Sequence, residues 1–111
     1  MPNHIVNPTI ETVVMNAKVN DTIECNFKIY TITEIGRFTR IERTLHNRQI
    51  ELMIERRSEF SDSYVVDLTI IDKEDSVTVT NVFKKELRIA QIIHFLGYRG
   101  IKLMNEIFCP T

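Results

Sequence analysis

Along most of the chain, apolar side chains recur at every second position, the spacing of strands with one face on a core. Tyr64, Val66, Leu68 and Ile70 alternate with Asp67 and Thr69, and Val77 and Val79 resume the pattern after Asp72-Lys73-Glu74-Asp75. A turn centred on Lys73-Glu74 sets Ile70 opposite Val77 and Leu68 opposite Val79, so both apolar faces coincide and a hairpin is predicted. Upstream, Ile50, Leu52 and Ile54 alternate with Glu51, Met53 and Glu55. A turn at His46-Asn47 then places Ile41 opposite Leu52, which is favourable, and Glu42 opposite Glu51, which like-charge repulsion opposes. Phe38, Ile41 and Leu45 also fit helical spacing, so residues 37–45 carry helix as a competing reading.

Val13, Met15, Ala17 and Val19 alternate with polar neighbours, and Ile23, Cys25, Phe27 and Ile29 do so again after Asn20-Asp21. This predicts a first hairpin turning at Asn20-Asp21, preceded by an extended polar lead-in over residues 1–8. Residues 82–96 break the period of two. Val82, Phe83, Leu87, Ile89, Ala90, Ile93 and Leu96 cover one broad face of a helical wheel, with Asn81 as N-cap and Gly97 as stop. The segment 101–108 satisfies both periods and reads as a C-terminal strand. The fold class that follows is α+β: an antiparallel sheet of five to seven strands built from hairpins and packed on one helix at about 82–96.

The 111 residues carry 43% hydrophobic and 26% charged side chains, ordinary for one globular domain spanning 1–111. The longest apolar runs are too short to span a membrane, and the first residues lack the basic-then-apolar opening of a secretory leader. Cys25 and Cys109 share no ligand spacing and read as free thiols, which points to a reducing, cytoplasmic setting. Sixteen isoleucines against two alanines suit a strand-rich chain or an AT-rich bacterial, phage or viral genome.

Three glycines, Gly36, Gly97 and Gly100, cannot build a phosphate-cradling loop. His4, His46 and His94 are isolated, and no nucleophile motif is present, so neither a catalytic residue, a cofactor nor a metal is assigned. Charge is the feature above background. Residues 37–57 hold Arg37, Arg40, Arg43, Arg48, Arg56 and Arg57 against Glu42, Glu51 and Glu55, a net of +3. Residues 58–81 hold Lys73 against six carboxylates, a net of −5.

Arginine's planar fork pairs with carboxylates and phosphates, so the arginine segment is the candidate partner-binding surface unless the acidic hairpin neutralises it. The function expected is a non-catalytic protein-binding module, an inhibitor or regulator of a larger protein. Its partner would present an acidic surface or be a second copy of the chain. Nucleic-acid binding through residues 37–57 is an alternative, weakened by an overall charge of −1. An enzyme with a site assembled in space around His94 or Asp67 is the other.

Overall fold

The computed structural model describes residues 1–56 and 61–108. Strands β1 (His4–Val6), β2 (Thr22–Cys25), β3 (Lys28–Ile35), β4 (Phe38–Leu45), β5 (Arg48–Glu55), β6 (Ser63–Asp72) and β7 (Asp75–Lys84) form one sheet in sequence order. All neighbours are antiparallel except β1 and β2, which run parallel with helix α1 (Ile10–Asn16) between them. Helix α2 (Ile89–Phe108) follows β7 and packs on β6 and β7. The α+β class and the sheet-on-helix architecture therefore hold, at seven strands.

The two hairpins with coinciding apolar faces form in the expected registers. Ile41 faces Leu52 and Glu42 faces Glu51 across β4 and β5, while Ile70 faces Val77 and Leu68 faces Val79 across β6 and β7. Residues 38–45 are strand, and helix is excluded there: Thr39 and Ile41 point to the core and Arg40 and Glu42 away from it. The core side gathers Ile23, Tyr30, Ile32, Ile41, Leu52, Ile54, Val66, Leu68 and Ile70 beneath the helices. The outer side carries threonines and carboxylates, with Thr69 bonded to Thr78 at 2.8 Å and the Thr80 hydroxyl donating to Asp67 at 2.7 Å.

Three expectations are corrected. Residues 10–16 form a helix, because Ile10, Val13, Val14 and Ala17 satisfy 3.6-residue spacing as well as Val13, Met15, Ala17 and Val19 satisfy alternation. The first set is buried, whereas Met15 and Val19 lie exposed. Thr9 caps this helix, its Oγ1 accepting from Thr12 N at 3.1 Å. The first hairpin therefore turns at Asn26-Phe27, not at Asn20-Asp21. Asp21 instead ties two segments together, its carboxylate accepting from Asn3 N at 2.8 Å and Lys18 N at 2.9 Å. Those bonds hold its carboxyl below the usual range. The lead-in thereby gains β1, a short parallel edge strand.

The helix boundaries move as well. Residues 82–84 complete β7, where Val82 faces Val65 and Phe83 faces Tyr64, and Asn81 accepts from Val82 N rather than capping a helix. The start lies at Ile89, where Gln91 Oε1 accepts from Arg88 N at 3.0 Å, the reach-back half of a capping box. Gly97 does not stop it. A Cβ at Gly100 would come within 2.8 Å of Ile70 Cδ1, so the glycine lets the helix approach β6 closely, and residues 101–108 continue as helix rather than strand.

Candidate protein-binding groove

Meander topology puts the turns Asn26-Phe27, His46-Asn47 and Lys73-Glu74 at one end of the sheet, and Lys73 N donates to Asn47 O between two of them. Because α2 sits on β6 and β7, its opposite flank stands off from β2, β3 and β5. A groove of about 320 Å³ opens between them. Tyr30 and Ile50 contribute from the sheet, Ile93, Tyr98 and Ile101 from the helix, and Lys28 and His94 supply the basic groups. No carboxylate lines it among the described residues.

Burial pushes the Tyr30 phenol upward against the pull of Arg43, whose guanidinium carbon lies 5.9 Å from the ring centroid. Burial also raises the Cys25 thiol to about 11, so at neutral pH this cysteine is a protonated, inert wall. Tyr98 is 69% exposed and Ile101 about half-exposed, which leaves apolar surface free along the helix side.

Phe27 sits in the turn between Asn26 and Lys28, which line the groove. It is 97% exposed and adopts φ 66°, with Asn26 at φ 53°, so the two-residue turn has the left-handed pair of a type I′ hairpin. That position favours glycine; a bulky aromatic there costs about 1–2 kcal/mol of backbone strain and gains no packing. On the outer face, Phe27 also borders a shallow hollow of about 580 Å³ walled by Ile29, Thr31, Thr33, Glu42 and Thr44. The alternation Ile23-Cys25-Phe27-Ile29 concealed this residue, because it places Phe27 on the core side of a continuous strand. The preceding Asn26 was the available signal for a turn.

The expected arginines are not gathered into one patch. Arg37 and Arg56 meet at the far end of the sheet, where Arg56 N donates to Arg37 O at 3.1 Å. There Arg37 sits 5.8 Å from the Phe38 ring and the Arg56 guanidinium donates to Val14 O. Arg40 lies on the outer face, 3.7 Å from Glu34. Arg43 and Arg48 lie toward the groove end, and Arg48 pairs with Asp72 at 3.0 Å, a direct link between the basic and acidic hairpins. Arg57 lies outside the described residues, as does Cys109.

His94 is exposed on the groove side of α2; the ring that meets Phe83 edge-to-face is that of Phe95, at 5.9 Å between centroids. Asp67 stands on the outer face, so the sheet separates it from His94. No group of three or more His, Cys, Asp or Glu side chains able to hold a metal ion occurs among the described residues, and no helix is long and apolar enough to cross a membrane. Comparison with protein-family models, curated proteins and solved structures finds no match to this chain.

Proposed function

We propose that this chain is a non-catalytic protein-binding module that holds an apolar, acid-flanked segment of a larger protein in the groove between α2 and strands β3 and β5. The observation that carries the reading is the groove itself: apolar walls of Tyr30, Ile50, Tyr98 and Ile101, basic groups at Lys28 and His94, and no lining carboxylate. An apolar side chain from a partner would displace water from those walls, and a carboxylate beside it would meet Lys28 and, above Tyr30, Arg43. Phe27, fully exposed in the adjoining turn, adds an aromatic of the type enriched where interfaces concentrate their energy.

Separation of Asp67 from His94 by the sheet, together with the protonated Cys25, favours binding over an assembled catalytic site. Dispersal of the arginines over both faces and both ends favours a protein partner over a nucleic-acid track, which needs a contiguous basic surface. A binder of this type acts by occupying its target, as an inhibitor or regulator does.

The test is capture of partners from the source cell by the wild-type chain and by Tyr98→Ala, Ile101→Asp and Lys28→Glu variants with unchanged circular dichroism. The wild type is expected to retrieve a partner that all three variants lose, and that a short peptide pairing leucine or phenylalanine with glutamates displaces. Variants that retrieve the same partner as efficiently would remove the groove from the interface.

A further inference from the structure

The two edges of the sheet are unequal. β1 is three residues long, parallel to its neighbour, and its His4 ring is tied to Thr22 at 2.7 Å and Glu24 at 3.3 Å. β7, at the other edge, runs ten residues in unbroken register with β6. Natural edge strands are guarded by charges, proline, bulges or brevity. Ser76 to Phe83 has none of these: Ser76-Val77-Thr78-Val79-Thr80-Asn81-Val82-Phe83 is uncharged, free of proline and rich in β-branched residues.

In a two-residue hairpin the closing pair, here Asp72 and Asp75, is hydrogen-bonded, and bonding alternates from there. Residues 77, 79, 81 and 83 therefore spend their N–H and C=O groups on β6, and those of Ser76, Thr78, Thr80 and Val82 face outward, joined by the Lys84 N–H, since Lys84 O accepts from Leu87 N at 3.1 Å. The Val82 N–H confirms that direction by bonding its neighbour Asn81 Oδ1 at 2.8 Å instead of a strand.

We propose that β7 pairs antiparallel with β7 of a second copy of this chain about a twofold axis at Thr80, joining two seven-stranded sheets into one. In this register Thr80 meets the second copy's Thr80, Thr78 its Val82 and Ser76 its Lys84 N–H, with Asn81 yielding the Val82 N–H. On the core side Val77 meets the second copy's Phe83. Asp75 meets its Lys85, so opposite charges close both ends of the ladder.

The flank of α2 above this edge fits the same axis. A groove of about 320 Å³ beside Val79 is lined by Tyr98, Arg99, Lys102, Leu103 and Glu106, and Phe95 stands half-exposed under the Arg99 guanidinium. The same axis brings the α2 flanks of the two copies to the joined edge, where Arg99 and Glu106 supply both signs of charge and Phe95 supplies exposed apolar surface. Mixed charge of this kind suits an isologous contact, where one surface must complement itself, and not the acidic partner assigned to the opposite flank. The backbone pairing of β7 involves no residue of that groove; the two surfaces share only Tyr98, at the crest of α2.

Sedimentation equilibrium on the full chain from low micromolar to millimolar concentration tests the proposal. A mass of twice 13.0 kDa is expected to emerge as concentration rises. Thr80→Pro removes an N–H that the monomer does not use, and Thr80→Lys sets like charges together at the axis while leaving Asp67 beside the new ammonium. Both are expected to stay monomeric throughout, with unchanged circular dichroism. Asp75→Lys should weaken the dimer at least tenfold, and Asp75→Lys with Lys85→Asp should restore it. A wild type that remains monomeric, a dimer indifferent to both Thr80 variants, or a charge swap without rescue would overturn the proposal.

Discussion

Beneath α2 strand alternation, register and packing agree, whereas at the open end of the sheet and on its outer face the chain keeps residues that cost it stability. Leu68, Ile70, Val77 and Val79 alternate on strands that pair without a bulge, and they meet Ile92, Leu96 and Met104 at helical spacing with Gly100 allowing close approach. Phe27, by contrast, occupies a left-handed turn position in full exposure, and Glu42 and Glu51 face each other across one ladder. Packing explains the first region completely. The second holds a strained turn residue and a facing like-charge pair that packing does not explain.

The contrast breaks most visibly at Leu68, which is fully buried beneath Gly97. Leu68→Ala is expected to lower the unfolding free energy by about 2–5 kcal/mol through lost burial and an uncollapsed cavity. Ile101→Ala, on the open flank, is expected to change it by about 0.5 kcal/mol or less, as exposed positions do. Urea titrations of the two variants give both values. Equal losses would mean that the groove wall is as much core as the seam.

The same contrast explains what could be read from the sequence. The registers of hairpins β4–β5 and β6–β7 were legible because each buries one face and a one-residue slip would expose it, so alternation and register determine each other. The ends of the chain were not. Residues 10–16 are short, and Ile10-Val13-Val14-Ala17 obeys the helical period while Val13-Met15-Ala17-Val19 obeys the strand period; only burial against the sheet chooses between them. In α2 the glycines misled, since Gly97 reads as a stop yet lies mid-helix, and Gly100 serves the close approach to Ile70, a contact between segments far apart in sequence.

The candidate groove was legible only as chemistry without place. The arginine excess was evident, and so was its distribution along the chain, but strand parity and chain direction send Arg40 outward, Arg43 toward Tyr30, and Arg37 with Arg56 to the far end. Its apolar walls come from β3, β5 and α2, which no local pattern brings together.

Phe27→Gly sharpens the comparison from the other direction. Glycine adopts positive φ without a Cβ clash, so the variant is expected to gain about 1 kcal/mol at a position where no packing is lost. Thermal unfolding should show a higher midpoint together with weaker partner capture. A destabilised variant would mean that the phenyl ring contributes to the fold, and a stabilised variant with full capture would leave the strain without a purpose.

The smallest expected effect lies at the facing carboxylates of β4 and β5. Gln49 Nε2 donates to both, at 3.1 Å to Glu42 and 3.1 Å to Glu51, which offsets part of their repulsion. Glu42 is held below and Glu51 above the ordinary value of 4.5, chiefly because a protonated Glu51 can donate to an ionised Glu42. An acid whose folded value is raised binds its proton more tightly in the folded chain. Its contribution therefore favours folding below the ordinary range and is lost as pH rises through the raised folded value. Glu51→Gln keeps a donor facing Glu42 and abolishes the second charge, so at pH 7 it is expected to stabilise the chain by about 0.2–1 kcal/mol, the scale of a facing like-charge pair. That gain should shrink on acidification to about pH 4, where wild-type Glu51 takes up its own proton and the two proteins converge. Urea unfolding at the two pH values measures it. A difference that is absent at pH 7, or that grows on acidification, would show that the pair does not share a proton and that the outer face of β4–β5 carries no electrostatic cost.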